Sequence, residues 1–87
     1  MKIKNGFVVR EIAGQSVVVA LGAATKSFNG MIKLNESGRS IWDMLVVGAE
    51  KSDIVKMLTD TYEVNGEIAA RDVDAFVNTL QGANILE

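Results

Sequence analysis

The stretch Met31-Ile32-Lys33-Leu34-Asn35-Glu36-Ser37-Gly38-Arg39-Ser40-Ile41-Trp42 decides the fold. Its first four residues make a short, mainly apolar run of strand length, interrupted only by Lys33. Asn35 then has the side chain of a helix N-cap, and Glu36 places an acid in the first turn, where the helix dipole favours it. From there Ile41, Trp42 and Leu45 fall at helical spacing, and Gly48 supplies a stop. The chain changes here from strands to helices, and a helix is expected over 36–47.

Upstream of the switch, Phe7–Ile12 and Ser16–Leu21 are short and rich in β-branched residues. Ala13-Gly14-Gln15 lies between them as a three-residue turn, so the two form a hairpin. Val17-Val18-Val19 is apolar on both faces, as in a covered or central strand. Residues 22–27 read as a loop or weak strand extension. Asn29-Gly30 is a turn dipeptide, since both residues tolerate positive φ, and it leads into Met31–Leu34 as a third strand at the sheet edge. Downstream, Ser52 is expected to cap a second helix with Asp53 in its first turn, and Ile54, Val55, Leu58 and Tyr62 follow at helical spacing. Asn65-Gly66 breaks the chain. A third helix is expected over 67–81, with Ala69, Val73, Phe76, Val77 and Leu80 as its core stripe. Gly82 is placed just past its end, and Ile85-Leu86 is expected to tuck back into the core. The result is one α+β domain over 1–87, ordered βββααα: a three-stranded antiparallel sheet followed by a three-helix bundle.

Composition removes much chemistry. The 87 residues include no Cys, no His and no Pro. Disulfides, thiolate metal sites, cysteine nucleophiles, imidazole bases and histidine ligands are therefore absent. A calcium loop starting at Asp60 fails, because its third and fifth positions are Tyr62 and Val64. No Gly-rich phosphate loop occurs. No cofactor, metal site or catalytic residue is expected; the chain reads as a binding module rather than an enzyme. Met1–Gly6 lacks the apolar run of a signal peptide, and no 18-residue apolar stretch exists. No membrane partner and a cytoplasmic location are expected by default. Charge is uneven. Residues 1–40 carry six basic and two acidic side chains, a net of +4; residues 41–87 carry three and nine, a net of −6.

With no catalyst in view, the third strand is the most available site. An edge strand shows unpaired N–H and C=O groups to which another strand can add, and only Lys33 guards residues 31–34. The alternative is that residues 22–30 or the third helix cover the edge. On the third helix, the core stripe leaves Ile68, Asp72, Ala75 and Thr79 along one flank, suited to a shallow groove wall, while Arg71 points outward. Arg71 and Asp72 either grip a peptide's polar groups or form a surface pair. Met31 is the methionine expected to touch a partner. Trp42 is expected in the core, and Tyr62 at the core edge with its hydroxyl in water.

Several segments together resemble the PqqD-like family. They are Phe7-Val-Val-Arg-Glu-Ile-Ala-Gly14, Phe28-Asn-Gly-Met-Ile-Lys-Leu-Asn-Glu-Ser-Gly38, Ile41-Trp42 with Leu45, and Asp72-Val73 with Phe76 and Leu80. The resemblance runs from about residue 5 to 87, and Leu34–Gly38 with Ile41-Trp42 is its most specific part. It implies a fold like a winged helix-turn-helix. It also implies a non-catalytic recognition element that binds the leader of a ribosomally made precursor peptide and presents it to a modifying enzyme. That enzyme is often a radical S-adenosylmethionine (SAM) enzyme, as in pyrroloquinoline quinone (PQQ) biosynthesis. In such proteins the leader adds to the third strand beside the third helix. Carried over, the peptide-binding residues are Met31, Ile32, Lys33, Leu34, Ile68, Arg71, Asp72, Ala75 and Thr79. The basic first half would favour an acidic leader.

Two other functions share this plan. A winged-helix nucleic-acid binder would place the third helix in the major groove. Residues 67–81 carry Glu67, Asp72 and Asp74 against Arg71, however, and a net −2 repels phosphates, so no nucleic-acid partner is expected. A structural docking subunit would need no peptide at all.

Overall fold

Alternation and turn chemistry build the sheet. In the computed structural model, which describes residues 1–26, 28 and 30–87, β1 (Phe7–Ile12) and β2 (Gln15–Ala20) pair antiparallel with Ile12 opposite Gln15. Only Ala13 and Gly14 connect them, at φ 52° and 79°. Two consecutive positive φ values mark a type I′ turn, whose twist matches that of paired strands. The expected three-residue turn is therefore one residue shorter: Gln15 joins the ladder, and the strand ends at Ala20 instead of Leu21. Gly22–Lys26 form a short 3₁₀ helix rather than a loop, with the Thr25 hydroxyl donating to the Gly22 carbonyl at 2.7 Å. The expected Asn29-Gly30 turn involves Asn29, which lies outside the described residues. β3 spans Ile32–Leu34, so Met31 precedes the strand that was expected to include it. The sheet order is β1-β2-β3, with the valine-rich strand in the centre.

Helices follow the sheet. Helix α1 spans Glu36–Val47; the Asn35 side chain accepts from the Gly38 N–H at 2.8 Å, and Gly48 ends it in the left-handed region. Helix α2 spans Lys51–Thr61 with Glu50, not Ser52, at its N-cap. Asp53 accepts the Glu50 N–H at 3.4 Å, so an acid at the third helical position fixes the start earlier than a serine cap would. Helix α3 spans Gly66–Gly82, opened by Asn65, whose side chain accepts from the Ile68 N–H at 2.8 Å. Gly82 stays in the last helical turn; the left-handed residue beyond it is Asn84, at φ 61°.

The core lies between one face of the sheet and the three helices. Val18, Leu45, Ile54, Val73, Leu80 and Ile85 are its fully buried centre, and Trp42 packs among them. Ile85 and Leu86 do fold back: Leu86 bridges Ile3, and the Lys4 N–H donates to the Ile85 carbonyl at 2.8 Å. The Tyr62 hydroxyl sits 3.2 Å from that of Ser40, tying the end of α2 to α1, where an exposed hydroxyl was expected. The Phe7 and Phe28 rings meet edge-on at 5.6 Å.

Ala13 occupies a conformation that costs an L-residue with a Cβ about 1–2 kcal/mol. Replacing it with Asn, which tolerates that region, should raise the free energy of urea unfolding by about 1 kcal/mol. Ala13→Val should lower it.

Candidate functional site

Register fixes which main-chain groups of the third strand are free. The closing pair of a two-residue hairpin is hydrogen-bonded, and bonded and non-bonded pairs alternate along an antiparallel ladder. Gln15, Val17 and Val19 therefore direct their main-chain groups to β1, a pattern continued by the Leu21 N–H donating to the Gly6 carbonyl at 2.7 Å. Ser16 and Val18 direct theirs to β3, where Leu34 and Ile32 stand opposite them. Ile32 and Leu34 thus pair inward, and the N–H and C=O of Lys33 point away from the sheet. Among the described residues no other strand pairs with β3 and no main-chain group from outside the sheet bonds to Lys33.

Beside this border lies a groove made of two adjoining concavities. The larger, about 930 Å³, is lined by Ile32, Lys33, Leu34, Phe76 and Thr79, with Arg39 and Glu36 towards the hairpin. The smaller, about 340 Å³, is lined by Ile41, Asp72, Ala75, Phe76 and Thr79. Asn35 and Gly38 border both, so one wall is the third strand, the other is α3, and the start of α1 forms the floor. No β1 residue lines either concavity, although β1 is the sheet's other edge.

Gly38 sets the width of that floor. A Cβ on it would stand 3.0 Å from the Asn35 side-chain oxygen and 3.3 Å from Cε2 of Phe76. Only a residue without a side chain lets α3 approach α1 this closely while leaving the cap of α1 intact. Glycine is a costly choice in a helix, by roughly 0.5–1 kcal/mol, so its presence in the first turn is the one sequence signal that a close contact occurs here.

Of the residues expected in the site, Ile32, Lys33, Leu34, Asp72, Ala75 and Thr79 line the groove. Met31 is 63% exposed just before the strand. Ile68 and Arg71 line neither concavity: Ile68 sits in the first turn of α3 and Arg71 on its outer side, both exposed. Among the described residues Arg71 forms no ion pair with Asp72 or any other acid. Phe76 is the residue the periodicity assigned to the core stripe alone. It is half-buried and borders both concavities, because its ring spans the boundary between the stripe and the Asp72–Ala75–Thr79 flank.

The electrostatics are those of a surface. Arg39 is held by Glu11 at 3.3 Å and Asp43 at 3.1 Å. The Lys56 ammonium is pushed above its ordinary pKa, first by its hydrogen bond to Asp60 and then by that carboxylate's charge, but this exposed pair stands on α2 away from the groove. Among the described residues there is no group of three or more acidic side chains placed to hold a metal ion, and no buried side-chain polar atom lacks a partner. Among the described residues no helix is long and apolar enough to cross a membrane. The groove offers main-chain pairing on one wall and, on the other, the apolar surfaces of Ala75 and Phe76 interleaved with the polar groups of Asp72 and Thr79.

The sequence matches the family described as coenzyme PQQ synthesis protein D (PqqD) over residues 9–86. The chain belongs to that family. Among solved structures it is similar to TbiB1 in complex with the TbiA(beta) leader peptide, with a TM-score of 0.80 and 26% identity over 100% of this chain and 95% of that chain. It is also similar in fold to lasso peptide synthetase B1 complexed with the leader peptide, with a TM-score of 0.77 and 24% identity over 97% and 93%. No curated protein matches the sequence.

Gly38→Ala should destabilise the domain by about 1–3 kcal/mol, the usual cost of forcing an extra carbon into a filled site. Chemical denaturation measures the loss, and the Phe76 ring signals should move with it.

Proposed function

We propose that this chain is a non-catalytic recognition element that binds the leader of a ribosomally synthesised precursor peptide and delivers it to a modifying enzyme. The leader adds as a strand to β3, pairing with the outward main-chain groups of Lys33, and rests its side chains against Ala75, Phe76 and Thr79. The observation that carries this reading is the conjunction of an unpaired strand border with a helix-walled groove. Strand addition supplies affinity through the main chain and specificity through alternate side chains. Membership of the PqqD family supports it, as does likeness to two proteins solved with leader peptides. Within that reading the modifying enzyme is a radical SAM enzyme, the pathway is that of the quinone cofactor or a related modified peptide, and the setting is cytoplasmic. Met31, Ile68 and Arg71 lie at the ends and outer side of the groove, where a longer leader would reach them.

Titration of the ¹⁵N-labelled chain with a synthetic precursor leader peptide from the same genome should shift the amides of Ile32–Leu34, Ala75, Phe76 and Thr79. Hydrogen exchange at Lys33 should slow on binding, because its N–H gains an acceptor. A β3 and α3 that stay silent while the modifying enzyme still binds would make the chain a docking subunit instead. Lys33→Pro removes that outward donor without breaking a bond to β2, a substitution that edge strands tolerate. It should keep the circular dichroism of the folded chain and weaken leader binding at least about tenfold, the loss of one buried main-chain donor with its acceptor left unpaired.

A further inference from the structure

The face of the sheet turned away from the helices has its own pattern. Val17 is 3% exposed, yet it stands outside the core cluster, because it points to the opposite side from Val18. Its cross-strand neighbours are Arg10 on β1 and Lys33 on β3. Both are long side chains whose apolar stems are placed to cover a valine while their charged ends stay in water. Among the described residues neither cation has an ion-pair partner, whereas Glu11 is taken by Arg39 and the Ser16 hydroxyl. The row Arg10–Val17–Lys33 is thus an uncompensated cationic strip that ends at the open border.

A strand added to β3 extends this row by one position. The guest residue directly opposite Lys33 shares its face, with Cβ atoms roughly 5 Å apart. The guest residues before and after it point to the other face, beside Ile32, Leu34 and Phe76. That face of the groove also carries Glu36 and Asp72, which repel acids. The two faces therefore ask for opposite chemistry in adjacent residues. Resting on the strand-addition reading, we infer that the chain selects an extended peptide with an acidic residue opposite Lys33 and an aliphatic residue on each side of it.

The probe is a phage-displayed library of random decapeptides, panned against the full chain and against Lys33→Glu and Lys33→Met. The wild type should enrich an acid between two apolar residues. Lys33→Glu should keep the apolar flanks and enrich Lys or Arg between them. Lys33→Met, which retains a stem over Val17 but no charge, should keep the flanks and lose the preference. For one enriched peptide made synthetically, exchanging its acid for Lys should weaken binding to the wild type by about fivefold, as expected of a cross-strand charge pair. The difference should shrink in roughly 0.5 M salt, where exposed charges are screened. Enriched peptides that shift the Lys33 and Phe76 amides but show no acid, or show the same acid with Lys33→Glu, overturn this inference and leave strand addition standing. Peptides that bind without shifting β3, or a library that enriches nothing, overturn strand addition and the inference with it.

Discussion

The contact between the Asn35 side chain and the Gly38 N–H holds the rest of the structure in place. One residue after Leu34 turns into the core, that 2.8 Å bond starts the first helix, and the bare Cα of Gly38 then admits the Phe76 ring. Strand, first helix and third helix are thereby set at fixed distances from one another within four residues. A groove between a strand and a helix far apart in sequence needs such a spacer, since neither element touches the other through its own hydrogen bonds. The cap stabilises a helix by about 1 kcal/mol. Its larger effect here is geometric.

The site's second constraint is directional. A three-stranded sheet has two edges, and both β1 and β3 are edges here. Only β3 faces a wall, because the chain leaves it directly into the helical layer, whereas β1 is joined to the helices through the N-terminal residues and the Ile3–Leu86 bridge. The difference between the two edges therefore comes from connectivity: the strand last in the sheet is the one the helices must follow.

The architecture was legible in the sequence because each element carries a local signal. Asn35 and Asn65 are caps that act within four residues, and the stripe of Ala69, Val73, Val77 and Leu80 needs only its own periodicity. The misplacements were also local in kind. The hairpin turn loses a residue because a type I′ turn requires two positive φ values, one of which Ala13 accepts against its preference. The second helix starts at an acid three residues ahead of Asp53 rather than at Ser52. The groove was legible only in part. Spacing on α3 brought out Asp72, Ala75 and Thr79, but Phe76 shares its helix angle with both core and groove, and only the position of α1 decides how far its ring is covered. That Ile68 and Arg71 stand clear depends on where the groove stops, which is a tertiary fact no helical wheel contains.

The length of β3 has a kinetic side. Three residues, with one of them turning both its main-chain groups outward, offer a guest very few ladder bonds, each with a net value of about 0.5–1.5 kcal/mol. Affinity differences of this kind are expressed chiefly in dissociation rates. A strand seated on so brief a ladder leaves quickly once its side chains are drawn elsewhere, and its release requires no unfolding of the domain.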